Sequence, residues 1–491
     1  MNFITNKLLT KSKYVMGLEC PVHLWMSIHE PSKIKEISVD GLRRRDEGIK
    51  VGKLAKQLFP NAIDIPEDFK LNILKTKELV FEKKPLFEPG FIYQNCYVRS
   101  DILEPVKNEW DLTEVKSSTE VKDVNIHDLS FQKFVLESNN LKIRKCHVIH
   151  LNKTYERKGE LDIKKLFVKK DVTSEVNKAI NDIDLRIEEM FNIMNSSKPL
   201  KPGILLKTLI KRDYHHCVDD GCLDLAENNV FRLYRGGKLS VELFENNVPN
   251  IKDIPIHVKL NDKQNIQRDS LLNNEPFVNK TKIKEFLNKL EYPLHFLDFE
   301  TFSTGIPMFD NSKPYMQIPF QFSLHIIEKE NSEPIHYYFL YSGTLDPRKE
   351  FISELKKNIK NKGSIIVWNA SFETSLVLKK LLEIFPENKE WTEELLKRFV
   401  DLMVPFRDFD YYHPKQEGKC SLKVVLPALT GKDYEGLGIK SGGEASAEFM
   451  RMAYDNISLD EKKKIKENLL KYCELDTLAE VMILDKLREL A

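Results

Sequence analysis

From about residue 286 the chain alternates apolar, strand-like runs with amphipathic helices, and this rhythm restricts it to an α/β layer fold. The strand-like runs read YPLHFLDFET, PFQFSLHII, IHYYFLYSG and GSIIVWNA. The helical stretches read KEFISELKKNIK, FETSLVLKKLLEIF and EKKKIKENLLKYCELDTLAEVMILDKLREL. In the first run, apolar Leu294, Phe296 and Leu297 lead straight to Asp298 and Glu300. Residues two apart on a strand point the same way, so these carboxylates stand side by side. Paired carboxylates repel unless a positive group lies between them. A divalent cation with oxygen ligands is the usual solution. A solvent-facing pair at a strand end is the plainer alternative, and other segments have to decide.

Two downstream segments bear on that choice. In IIVWNASFETSLVLKKL, an apolar strand ends at Trp368, Asn369 turns the chain, and a helix starts around Phe372–Glu373. Glu373 therefore stands near the C-terminal end of a strand, where open α/β sheets collect their ligands. In YCELDTLAEVMIL, Tyr472 and Asp476 are four apart and share one helix face. A tyrosine on a helix is ordinarily a packing residue; the aspartate one turn later gives it a functional reading. The intervening stretch DLMVPFRDFDYYHPKQEGKCSLKVVLPALTG supplies Arg407, His413 and Lys423 as candidate contacts to phosphate or base. Ordinary surface charge, and a loop histidine satisfied by its neighbours, are the competing readings.

A second constellation lies near the start, in YVRSDILEPVKNEWDLTEVKSS. Asp101 ends one strand-like run, and Glu114 and Lys116 lie two apart on one face of the next. Two carboxylates with a lysine can hold a metal and steady the charge of a phosphate or nucleophile. HDLSFQKFVLE follows and brings Gln132.

The chain of 491 residues is charge-balanced, at +1, with 41% apolar residues, so it can build sizeable cores but advertises no global positive field. Any nucleic-acid footprint has to be local. No apolar run reaches the length of a membrane span, and MNFITNKLLTKSKYVMGLEC lacks a signal-peptide core, so a cytoplasmic protein is expected. Seven scattered cysteines show no disulfide rhythm; reduced thiols or a metal site fit them better. Three parts are expected: residues 1–165, a middle or connecting region 166–285, and the α/β part 286–491.

With Asp298 and Glu300, Asn369 and Phe372, and Tyr472 and Asp476 in this order, the third part resembles the DEDD exonuclease superfamily, the DnaQ-like branch of the ribonuclease H fold, in its tyrosine subtype. Glu373 stands where that superfamily has an aspartate. The resemblance implies a 3′-to-5′ exonuclease using Mg²⁺ or Mn²⁺ in a two-metal site. Asp298 would bridge the metals, with Glu300 and Asp476 completing the ligand set, Glu373 on the second metal and Tyr472 orienting the attacking water. The first part resembles PD-(D/E)XK nucleases of the RecB type, which have a restriction-endonuclease-like α/β fold and include CRISPR-associated members. Asp101, Glu114, Lys116 and Gln132 match its catalytic core, with Asp101 and Glu114 as metal ligands. Gly52 falls where many members have a histidine ligand; Glu47 is a candidate substitute, a solvated helix acid being the plainer reading. Related nucleases carry an iron–sulfur cluster. Cys20, Cys217 and Cys222 match three of its cysteines, His215 or His216 would have to be the fourth ligand, and zinc is an alternative. The whole resembles an uncharacterised bacterial family that joins these two nuclease types. The resemblance implies a nuclease acting on nucleic acid, DNA being favoured only through the RecB-like companion. An RNA exonuclease and a nucleic-acid-binding scaffold that no longer cuts are the alternatives. Because its core residues are all present, the first part is expected to cut rather than merely to grip.

Overall fold

The computed structural model describes residues 8–198, 222 and 225–491. Its contacts divide the chain into two compact units, both mixed α/β. The first gathers the described residues of 1–37 and 41–224 together with Thr304–Tyr315; the second holds 38–40, 225–303 and 316–491. Residues 166–285, expected as a middle region, are thus shared between the two units. No helix among the described residues is long and apolar enough to cross a membrane.

In the first unit, β1 (Leu9–Thr10) runs into α1 (Lys11–Glu19), which Thr10 caps by accepting the Lys13 N–H. A longer helix, α2 (Val39–Ala55), follows. The main sheet contains β2 (Ile63–Asp64), β3 (Leu86–Phe87), β6 (Ile102–Val106), β7 (Glu109–Lys116), β8 (Ile143–Leu151) and β9 (Phe167–Asp171), in that spatial order among the described residues. A smaller sheet pairs β1 with β5 (Cys96–Arg99) and β5 with β4 (Gly90–Tyr93). β7 and β8 are parallel, and α3 (Asp123–Ser138) is the crossover between them. β7 is an interior strand, buried from Trp110 to Glu114, so a carboxylate at Glu114 sits where an apolar residue is the norm.

The segment Thr304–Tyr315 is fastened within the first unit. Glu47 of α2 accepts the N–H groups of Gly305 (2.7 Å) and Ile306 (3.2 Å). Arg157 donates to the carbonyls of Pro307 and Met308, and the Tyr315 hydroxyl donates to the Ser117 carbonyl. Ile306 packs on the core cluster of Val51, Ile149, Leu151 and Phe167.

In the second unit, β10 (Phe277–Val278) makes a short antiparallel pair with β16 (Tyr411–Tyr412). The main sheet has the order β13-β12-β11-β14-β15, from β11 (Leu294–Phe302), β12 (Ile318–Ile327), β13 (Ile335–Leu340), β14 (Ile365–Val367) and β15 (Phe399–Asp401). The first three are antiparallel, and β14 and β15 join β11 in parallel. All ten residues of β12 are buried, as in a strand covered on both faces. Helix α4 (Arg348–Asn358) packs on β12 and β13, α6 (Gly442–Tyr454) on β11, and α7 (Leu459–Leu490) on β11 and β12, with α5 (Leu422–Thr430) against α7. Ser458 and Glu461 form a reciprocal cap at the start of α7. Its buried face runs Ile465, Leu469, Tyr472, Cys473, Asp476, Ala479, Glu480, Ile483, Leu487, with helical spacing. Two carboxylates interrupt an otherwise apolar stripe, and that stripe lies on β11 and β12.

Candidate active site

In the second unit, Asp298 and Glu300 project from the inner strand β11 toward α7. One carboxylate oxygen from each of Asp298, Glu300 and Asp476 lies within 4.8 Å of the other two. Glu300 and Asp476 are buried. Burial pushes the Asp298 carboxyl up to about 6. Burial, followed by the charge of Asp298, pushes Asp476 up to about 8 and lifts Glu300 well above the carboxylate range. Cys473 packs its thiol on Asp298 Oδ2 at 3.5 Å, so its burial is also part of the site's wall.

Glu373 joins this group from the turn after β14, a π-helical stretch at Phe372–Leu378. It is 2% exposed, and its Oε2 has no hydrogen-bond partner among the described residues. Burial, and then Asp298, hold its carboxyl well above the usual range. Asn369 takes a left-handed conformation (φ 71°) at the strand end, and its side-chain oxygen accepts from Ser371. It shapes the turn that delivers Glu373, and it is itself exposed.

Two participants were not singled out in the sequence. Glu480, one turn beyond Asp476, is 1% exposed with an unpartnered Oε2. Burial and the charges of Asp298, Glu373 and Asp476 raise its carboxyl. Its i+4 spacing from Asp476 was readable but looks like any helix-surface acid. Tyr434 donates its hydroxyl to Asp476 Oδ1 at 2.6 Å. The Tyr434 and Tyr472 hydroxyls are both driven far above the ordinary phenol value, burial first and Asp476 second. Lys423 lies over both rings, 5.2 Å from Tyr434 and 4.7 Å from Tyr472, and its ammonium donates to the Lys440 carbonyl. Of the other polar candidates, Arg407 pairs with Asp401 at 3.2 Å. His413 accepts the Lys415 N–H at 3.1 Å and caps a short turn, the satisfied-loop-histidine reading.

The first unit assembles its expected residues around a lysine. Glu114 on β7 receives Lys116 Nζ at 2.7 Å and Gln132 Nε2 at 2.8 Å. Lys11, at the start of α1, donates to both Glu114 oxygens (2.9 and 3.2 Å) and lies 3.6 Å from Asp101 Oδ1. Asp101 Oδ2 accepts the Val115 N–H, so Asp101 and Glu114 do face one another. Asp128 completes the group, bonded to Lys116 (2.9 Å) and Gln132 (2.9 Å). The two lysines hold Glu114 well below the carboxylate range against its burial, whereas burial and Glu114 push Asp101 up to about 7. Neither Lys11 nor Asp128 stood out in the sequence. A side chain at Gly52 would meet no atom within 4 Å, and Glu47 is the anchor of Gly305 and Ile306 described above.

Cys20 caps a helix, its sulfur accepting the His23 N–H at 3.3 Å. Cys222 lies 4.0 Å from the ring of the same His23. Cys217, His215 and His216 lie outside the described residues. Among the described residues, no set of three His, Cys, Asp or Glu ligand atoms gathers at these two cysteines.

Residues 295–421 match the model of a domain of unknown function, DUF2779. The chain is also 27% identical to an uncharacterized protein of Mycoplasma genitalium, MG366, in an alignment covering 41% of this chain and 33% of that protein. The chain therefore matches about a third of the length of that curated relative.

Proposed function

We propose that the second unit is a divalent-metal-dependent phosphodiesterase with a ribonuclease H-like DEDD fold, a 3′-to-5′ exonuclease acting on DNA. The observation that carries this reading is the group Asp298, Glu300 and Asp476, with one oxygen of each within 4.8 Å of the others. The orphaned oxygens of Glu373 and Glu480 border the same group. Burial and mutual repulsion raise these carboxyls even with Lys423 nearby, and a hard divalent cation fits this all-oxygen donor set. Mg²⁺ or Mn²⁺ held by Asp298, Glu300 and Asp476, with Glu373 as a further ligand, would neutralise phosphate charge and acidify a water. Tyr472 stays protonated with its hydroxyl directed at Asp476, which leaves its oxygen to accept a hydrogen bond from that water and orient it. Tyr434 ties down one Asp476 oxygen and fixes the rotamer of the carboxylate. Lys423, beside both tyrosines, faces the negative charge of an incoming strand.

The first unit we read as RecB-like in fold but gripping rather than cutting. Lys11 favours this, because its ammonium stands between Asp101 and Glu114, where the related nucleases hold metal. End-labelled single- and double-stranded DNA and RNA, incubated with Mg²⁺, Mn²⁺ or EDTA, test the proposal. Metal-dependent trimming of DNA from the 3′ end, lost in Asp298→Asn, is expected. Preference for RNA would move the substrate, and a folded chain that binds but never trims would leave a scaffold.

A further inference from the structure

A second group of metal-type ligands lies on the sheet of the second unit, toward its β13 edge. His325 on β12 and His336 on β13 are directly opposed in the antiparallel register. Their rings stack at 4.4 Å, 17° from parallel, so one ring turns about its Cβ–Cγ bond before both lone pairs meet at one ion. Glu474 on α7 completes the group; one ligand atom from each of the three lies within 4.8 Å of the others.

The protons of this cluster can be assigned by counting. Four contacts connect it: His325 Nδ1 to Thr477 Oγ1 (2.8 Å), His336 Nε2 to Ser323 Oγ (2.9 Å), Ser323 Oγ to Thr477 Oγ1 (2.7 Å), and Thr477 Oγ1 to the Glu474 carbonyl (3.1 Å). A carbonyl only accepts, so the Thr477 hydrogen goes there. Thr477 must then accept from Ser323, which uses the Ser323 hydrogen. Both imidazoles are therefore donors at the tethered nitrogen. In the neutral rings, His325 Nε2 and His336 Nδ1 are left with bare lone pairs. A metal-binding histidine has this arrangement, one nitrogen donating to a fixed partner and the other free to ligate.

The unsatisfied side faces an acid. His336 Nδ1 lies 3.5 Å from Glu474 Oε1, so two lone-pair-bearing atoms confront each other. Adjacent ligands on a tetrahedral zinc, at bonds of about 2.1 Å, are separated by roughly 3.4 Å. Two imidazoles and a carboxylate suit zinc and its transition-metal neighbours rather than Mg²⁺ or Ca²⁺. Access is available: Glu474 is 48% exposed and His336 23%.

We propose that His325, His336 and Glu474 form a binding site for a Zn²⁺-class transition metal, separate from the carboxylate group and pinning α7 to the β12–β13 edge. The inference does not depend on the phosphodiesterase reading, since it uses none of that group's ligands.

Zn²⁺ titration of the full chain by calorimetry tests it, with millimolar Mg²⁺ present to occupy the carboxylates. Asp298→Asn, His336→Ala and Glu474→Gln are compared, the last being an exposed change that leaves the core packing alone. The expected result is one equivalent of Zn²⁺ per chain that is weakened at least 10-fold in His336→Ala and in Glu474→Gln and unchanged in Asp298→Asn. With Co²⁺ in place of Zn²⁺, the same equivalent should give a visible absorption band that His336→Ala removes. Absence of Zn²⁺ binding, loss of the equivalent in Asp298→Asn, or full retention in both ligand variants overturns the proposal.

Discussion

Replacing Asp476 with asparagine should stabilise the metal-free protein at alkaline pH. Asp476 is 4% exposed and its carboxyl is raised to about 8 by burial and by Asp298. In the unfolded chain an aspartate ionises near 3.9. Between those values the folded state keeps a proton that the unfolded state has released. Stability therefore falls as pH rises through the window from about 4 to about 8, and the loss is complete above it. A gap of about four units at about 1.36 kcal/mol each sets a ceiling of about 5–6 kcal/mol. The penalty is shared with Asp298 and Glu300, so about 2 kcal/mol is the figure to test. Asparagine retains an oxygen for the Tyr434 hydroxyl, which limits side effects of the change. In EDTA at pH 8, Asp476→Asn should melt about 4–8 °C above the parent, and the gap should shrink toward pH 5. Saturating Mn²⁺ should reverse the order, since about 100-fold excess over the dissociation constant adds about 2.7 kcal/mol to the parent alone. Differential scanning calorimetry of both proteins at pH 5, 6.5 and 8 reads all of this. A variant that melts below the parent at pH 8 without metal would refute the argument that these acids repel.

Removing Lys11 leaves Glu114 with Lys116 and Gln132, so Lys11→Ala should cost about 1–3 kcal/mol and open a divalent site between Asp101 and Glu114. Against an Asp298→Asn background, thermal melts with Mn²⁺ should show a stabilisation that the Lys11-containing protein lacks; equal responses would end that reading. Tyr472→Phe should lower kcat on labelled DNA with KM little changed, because the ring packing remains and only the hydroxyl is lost; unaltered kcat would remove its role. His413→Ala should cost about 1 kcal/mol through the lost cap and leave trimming unaffected, and a large activity loss would return it to the substrate path.

The parts of the site that could be read in advance are those set by local geometry. Asp298 with Glu300 follows from strand alternation, Tyr472 with Asp476 from the helical turn, and Glu114 with Lys116 from alternation again. The parts that could not be read depend on long-range packing. Lys11 meets Glu114 across 103 positions of sequence, and nothing in its own neighbourhood marks it. Glu480 is indistinguishable in sequence from the solvated acids elsewhere on α7; only burial separates it. Tyr434 precedes α6 in irregular chain, where no periodicity says which way a side chain faces. Glu47 reads as a solvated helix acid or a substitute ligand; it is instead satisfied by two backbone N–H groups, a partner that sequence pattern does not reveal. The same holds for the boundary expected at residue 286, which treats each unit as continuous chain.

Thr304–Tyr315 has a consequence for how the protein is made. Synthesis is vectorial, and Ile306 reaches its place on Val51, Leu151 and Phe167 only after β11 of the other unit has been translated. Until then the spot that Ile306 plugs on this core stays open. A fragment cut to begin near 286 inherits the plug without Glu47, Arg157 and Ser117 to receive it, while the severed N-terminal piece keeps the socket open. Expressing the halves separately should therefore yield two sticky products, and supplying the twelve-residue plug as a peptide should rescue the first.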